Sequence, residues 1–178
     1  MRHHTLSVAA LLLVTTLTLG GCVSEDDTAT PTDIEVTTPT GAPQPEFHQE
    51  FVDPVTSTEI TGKSVDDPKM ELSYKWQGSS YGTGSGGIIV VAVTNKSDVP
   101  MPVDVLKPKL RYNTGNNKFV DANPISAEQA GVDVLGVDRP LGPGATTNAK
   151  YAFDVTPDGL WDAEFTIGNV KFKGNLNN

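Results

Sequence analysis

From Lys69 onward the chain is built on a period of two. Met70, Leu72, Tyr74 and Trp76 alternate with Lys69, Glu71, Ser73 and Lys75, which gives an extended segment one apolar and one polar face. The rhythm returns in Ala149, Tyr151, Phe153 and Val155, and again in Trp161, Ala163, Phe165 and Ile167. No long stretch repeats apolar residues at helical spacing. A chain patterned this way buries one face of each strand and has to build its core by packing sheet on sheet.

The stretches between these segments fit the same plan. Ile88 to Val93 is a continuous, mostly β-branched run ending at Asn95-Lys96-Ser97-Asp98, which reads as a strand covered on both sides and then a turn. Leu106, Leu110 and Tyr112 share a face, and Pro108 among them marks an edge or a bulge because proline cannot donate to a ladder. Asn113 to Asn117 is a turn, after which Lys118-Phe119-Val120 restarts the sheet. Asn123 before Pro124 reads as a helix cap with proline at the first helical position, closed by Gly131. Val132 to Val137 is expected to be a short strand before the loop Leu141-Gly142-Pro143-Gly144. Thr156-Pro157-Asp158-Gly159 is a strong turn signal. Gly168-Asn169 fits either a two-residue hairpin turn or a bulge in one long strand. About seven short strands in roughly 110 residues predict an all-β fold, an antiparallel β-sandwich over residues 66–178, with a small closed barrel as the alternative.

The first 21 residues are of a different character. Arg2, His3 and His4 precede an apolar core from Leu6 to Leu19, too short for a permanent span of about 20 apolar residues but matched to a secretory signal. It ends Leu19-Gly20-Gly21-Cys22. This resembles the lipobox of bacterial lipoproteins, in which the cysteine thiol takes a diacylglyceryl lipid before the signal is cut. Cys22 is the one cysteine of the chain, so an exported protein would offer it no disulfide partner. The expected address is the extracytoplasmic face of the cell membrane, with the lipid on Cys22 as anchor. Residues 22–65, rich in Thr, Pro and acidic residues, read as a disordered tether. Phe47, His48, Phe51 and Val52 interrupt it, either as a segment docking on the domain or as a short partner motif.

The strand ending in Asn95-Lys96-Ser97-Asp98, the Leu141 to Gly144 turn and the alternating run Ala149 to Val155 resemble a known pattern. It is that of the immunoglobulin-like domains in a family of uncharacterised Gram-positive lipoproteins, whose fold is similar to that of a secreted mycobacterial immunoprotective antigen. The resemblance covers roughly residues 66–175. It implies an immunoglobulin-like β-sandwich in the cell envelope and carries no activity.

The remaining chemistry is sparse. Gly82, Gly84 and Gly87 satisfy a dinucleotide-binding pattern, but they open a strand rather than a helix, so an inter-strand loop is the simpler reading. His48 is the single histidine after residue 4, which leaves catalytic triads and zinc sites without ligands. No catalytic residue, metal ligand or cofactor is assigned. Asp133, Asp138, Asp154, Asp158, Asp162 and Glu164 are the reservoir for a calcium site or a hydrolase pair. Loss of Arg2 with the signal takes the formal charge from −9 to −10, which argues against nucleic acid as a partner. Tyr81 and Met101, both in loops, are the candidate recognition residues. The reading is a non-catalytic lipoprotein that binds another envelope protein or a wall component. An extracytoplasmic solute- or calcium-binding module is the alternative.

Overall fold

A computed structural model describes residues 45–60 and 62–178. The chain is all-β, with nine strands forming two sheets among these residues. In order they are β1 (Val55–Ser57), β2 (Ser64–Asp66), β3 (Leu72–Tyr81), β4 (Gly87–Asn95), β5 (Lys109–Asn113), β6 (Phe119–Asp121), β7 (Thr146–Phe153), β8 (Ala163–Ile167) and β9 (Val170–Gly174). One sheet has the order β2-β3-β4-β7 and the other β1-β9-β8-β5-β6. All pairings are antiparallel except β1 with β9. Among the described residues, helix is confined to α1 (Ala127–Ala130) and a 3₁₀ turn at Pro157–Leu160.

The period-two residues meet where the two sheets face each other. Leu72, Tyr74 and Trp76 from β3, Ile89, Val91 and Val93 from β4, and Phe165 and Phe172 from β8 and β9 belong to one buried cluster. The Trp76 ring lies 5.8 Å from Phe165 and 5.9 Å from Phe172, so aromatic contacts join the sheets where no disulfide does. β4 is buried on its other face too, since Ile88 packs with Ala130 of α1 and Ala152 of β7. Its unbroken apolar run has that double burial as its cause.

Several local expectations give way to stronger partners. The helix starts at Ser126, whose hydroxyl accepts from the Gln129 N–H while the Gln129 side chain accepts from the Ser126 N–H. That reciprocal pair outcompetes Asn123, which is held instead by Asp154 through two bonds of 2.8 and 2.7 Å. Pro124 forms a bridge to Phe153. Pro108 stands just outside β5, which is paired on both sides, so it marks neither an edge nor a bulge. Val132 to Val137 makes a single bridge, Gly136 to Lys150, rather than a strand. Gly168-Asn169 is the hairpin turn joining β8 to β9, with Ile167 opposite Val170. Gly168 has φ 54°, and a Cβ there would collide with the Tyr74 hydroxyl and the Asp67 carboxylate.

The largest revision lies at the start of the domain. β1 and part of β2 fall inside 22–65, and the expected boundary at residue 66 cuts through β2. Such a polar stretch cannot build a core of its own, but it can complete sheet edges that already exist. Val55 to Ser57 pair in parallel with Val170 to Phe172, and Ser64 to Asp66 pair with Ser73 to Lys75. Residues 48–52 dock without forming a strand. The Asn169 side chain accepts from the Val52 N–H and donates to the Glu50 carbonyl, each at 2.8 Å, while Phe47 packs on the core. Of the tether expected over 22–65, residues 22–44 and 61 lie outside the described residues.

Candidate functional site

Tyr81 is the last residue of β3, and Trp161 directly follows the 3₁₀ turn that leads into β8. They are the two large aromatic side chains at this end that stay in solvent, Tyr81 at 57 % and Trp161 at 53 % of full exposure. The Tyr81 hydroxyl donates to the carboxylate of Asp158. That bond raises the phenol pKa, because ionisation would forfeit it beside a carboxylate. Trp161 lies three residues beyond Asp158, just past the end of the 3₁₀ turn. Asp158 thus holds the Tyr81 ring by a hydrogen bond, and Trp161 stands exposed a little further along the same loop.

Trp161 was expected to share the buried face of Ala163, Phe165 and Ile167. Those three are fully buried, but the turn at Pro157 breaks the alternation before them, and Leu160 fills the core in place of the tryptophan. The proline-containing turn is the sequence signal that marks this break. Met101, the other expected recognition residue, is fully buried and bridges Leu141 through paired backbone bonds of 2.9 Å. The fold places it in the core, so of the two expected recognition residues only Tyr81 is exposed.

The aromatic end lies at the far end of β3 from the point where the chain enters. The buried Asp67 carboxylate, just before β3, accepts from the Asn169 side chain, the Asn169 N–H and the Met70 N–H, all at 2.8 Å, and from the Tyr74 hydroxyl at 3.2 Å. Asn169 in turn holds residues 50–52. Ten residues of strand separate this latch from Tyr81, about 30 Å at roughly 3.3 Å per residue.

The other candidate features have structural work. The glycine-rich loop packs on the end of α1, with the Gly84 and Ser85 N–H groups donating to the carbonyls of Ala130 and Gln129. A Cβ on Gly84 would collide with the Gln129 carbonyl, so the glycines serve close backbone approach. Asp154 binds Asn123, Asp162 accepts from Asn113 at 2.7 Å, and Glu164 sits among Lys173, Lys171 and Arg111. Asp133 and Asp138 are exposed beyond α1. Among the described residues no three His, Cys, Asp or Glu side chains converge as metal ligands. Asn95, in an acceptor-like Asn-Lys-Ser sequence, is fully buried and bonded to Ser97, Val99 and Leu141.

Leu19, Gly20, Gly21 and Cys22 lie outside the described residues. Among the described residues no helix is long and apolar enough to cross a membrane. Comparison with protein-family models, with curated proteins and with solved structures found no match to this chain.

Proposed function

We propose that this chain is a lipoprotein of the cell envelope, anchored at Cys22 on the extracytoplasmic face of the membrane. Its domain is an immunoglobulin-like β-sandwich that acts as a non-catalytic binding module. The partner is another envelope protein or a wall component, gripped by Tyr81 and Trp161. The observation that carries this reading is that two large exposed aromatic side chains accompany one carboxylate, Tyr81 bonded to Asp158 and Trp161 three residues beyond it. Tyrosine and tryptophan are the residues that most often dominate binding energy, and the bond to Asp158 pre-orders one of them.

The immunoglobulin-like assignment is supported by the two facing sheets and by Trp76 packed between Phe165 and Phe172. The absence of turnover is supported by carboxylates already committed to internal donors. The test is cosedimentation with purified wall, run beside crosslinking on intact cells, comparing the native protein with Trp161→Ala. Replacing the exposed tryptophan should weaken retention roughly thirty-fold, equivalent to about 2 kcal/mol, with no change in melting temperature. Equal retention of the variant on every captured partner would refute the reading.

A further inference from the structure

Charge is unevenly placed on this molecule. Leu110, Phe165 and Phe172 turn one face of the adjoining strands β5, β8 and β9 into the core, so their neighbours along each strand stand on the outer face. There Lys109, Thr166 and Lys171 form one rung, and Arg111, Glu164 and Lys173 the next. At about 4.8 Å between strands and about 3.3 Å per residue, the four cations mark the corners of a rectangle of about 10 by 7 Å. The Glu164 carboxylate is shared by Lys173 at 2.9 Å, Lys171 at 3.6 Å and Arg111 at 3.8 Å. Arg111 is also paired with Asp121 of β6 at 3.0 Å. Among the described residues these pairs leave Lys109 without a carboxylate. Lys107 is equally free of one, and with Lys109 and Arg111 it lines an open cavity of about 600 Å³ where β5 begins. Five cations thus share two carboxylates, in a chain whose formal charge is −9.

We propose that this face binds a linear, base-free polymer of phosphate groups. Its sign selects an anion, and at physiological ionic strength a Debye length of about 8 Å screens it from most of the acidic remainder of the chain. The donors on offer favour phosphate over carboxylate. Four of the five cations are lysines, which act as point charges, while the one guanidinium fork is already engaged by Asp121 and Glu164. Lys107, Lys109 and Arg111 recur at every second residue, which suits a chain of repeated charges better than a single ion. No ring on this face is open to stack a base, since Phe119 is engaged by Arg111 at 5.8 Å and Lys173 at 5.9 Å. A linear chain can follow this one face, whereas a broad anionic membrane would also meet acidic residues from the rest of the domain. The face uses neither Tyr81 nor Trp161, so this proposal and the proposed function can each fail alone.

The test uses the full chain carrying Cys22→Ser, with inorganic polyphosphate as the probe in titration calorimetry at low salt. Saturable binding is expected, with log K falling against log salt at a slope of about −3, as about four phosphate contacts would give. Lys109→Glu should weaken binding about ten-fold and make that slope shallower by about 0.7. Lys107→Glu, outside any strand, should do the same and serves should the first variant melt early. Lys75→Glu makes the same change in net charge on the exposed face of β3 in the other sheet, and should leave binding unchanged. Polyglutamate, a thymidine oligonucleotide and anionic vesicles should each bind more weakly than polyphosphate. No saturable binding, or equal weakening by Lys75→Glu and Lys109→Glu, would overturn the proposal. So would any of the three competitors matching polyphosphate. Sedimentation showing a dimer that Lys109→Glu dissociates would overturn it too, by giving the face to a second copy of the chain.

Discussion

Glu164 shows how one residue's environment changes its meaning. On β8 it stands opposite Lys173 of β9 and Arg111 of β5. Its carboxylate is 2.9 Å from the Lys173 ammonium and 12 % exposed. The bond to Lys173 is the main cause that holds its pKa below the ordinary 4.5, with burial opposing and Lys171 assisting. The native state therefore keeps this carboxylate ionised to a lower pH than the unfolded chain does. Its stabilisation is complete above the ordinary glutamate value and vanishes as pH falls through the depressed one. Glu164→Gln should cost about 1 kcal/mol at neutral pH. The gap in melting temperature from the native protein should close on acidification, as thermal melts across pH 7 to 3 would record. By residue type such a carboxylate is a possible calcium ligand, and only its neighbours show it to be a cross-strand partner.

At the scale of elements, one residue of the β8–β9 turn pins the segments that flank the two N-terminal strands. Asn169 bonds Val52, Glu50 and Asp67, and the next residue, Val170, opens the parallel pairing with β1. Asn169→Ala would take one donor from the buried Asp67 carboxylate, which keeps the Lys69 and Met70 N–H groups on the same oxygen, and would leave the Val52 N–H and the Glu50 carbonyl without their partner. It should lower stability by about 3 kcal/mol. Amide exchange should rise first in residues 50–57, as hydrogen-exchange mass spectrometry would show. Equal loss of protection across all strands would instead mean that β1 unfolds only with the whole. The helix behaves similarly on a smaller scale. Its start is decided between two competing caps, and Ser126 wins because Gln129 lies three residues on while Asn123 is taken by Asp154.

For the whole molecule, the entering segment and the exposed rings lie at opposite ends of the strands, an arrangement that suits a tethered binder. On the proposed lipid-anchor reading, the acidic chain would add nothing to membrane attachment, since anionic headgroups would repel it. A diacylglyceryl group would have to supply the binding by its two chains, at about 0.8 kcal/mol per buried methylene. Cys22→Ser should accordingly move the protein from the membrane fraction to the soluble envelope fraction, read by fractionation and immunoblot. Retention of the variant in the membrane would sink the lipid anchor.

The strands of the core were legible in the chain itself, because period-two patterning reports burial locally: Leu72, Tyr74, Trp76, Ala149, Phe153 and Phe165 all face inward as their spacing requires. Sequence also marked the all-β class and the turn at Asn113–Asn117, whereas at Gly168-Asn169 it left a hairpin turn and a bulge open and the pairing of Ile167 with Val170 decided for the turn. The tertiary structure decided what depends on distant partners. Polar residues 55–57 and 64–66 become strands because β9 and β3 offer them open edges. Trp161 is released to solvent because Leu160 reaches the core first, and Met101 is buried because Leu141 closes over it. Alternation is a property of neighbours along the chain, whereas edge pairing, competition for a core slot and the company of a hydroxyl are set by residues that only folding brings together.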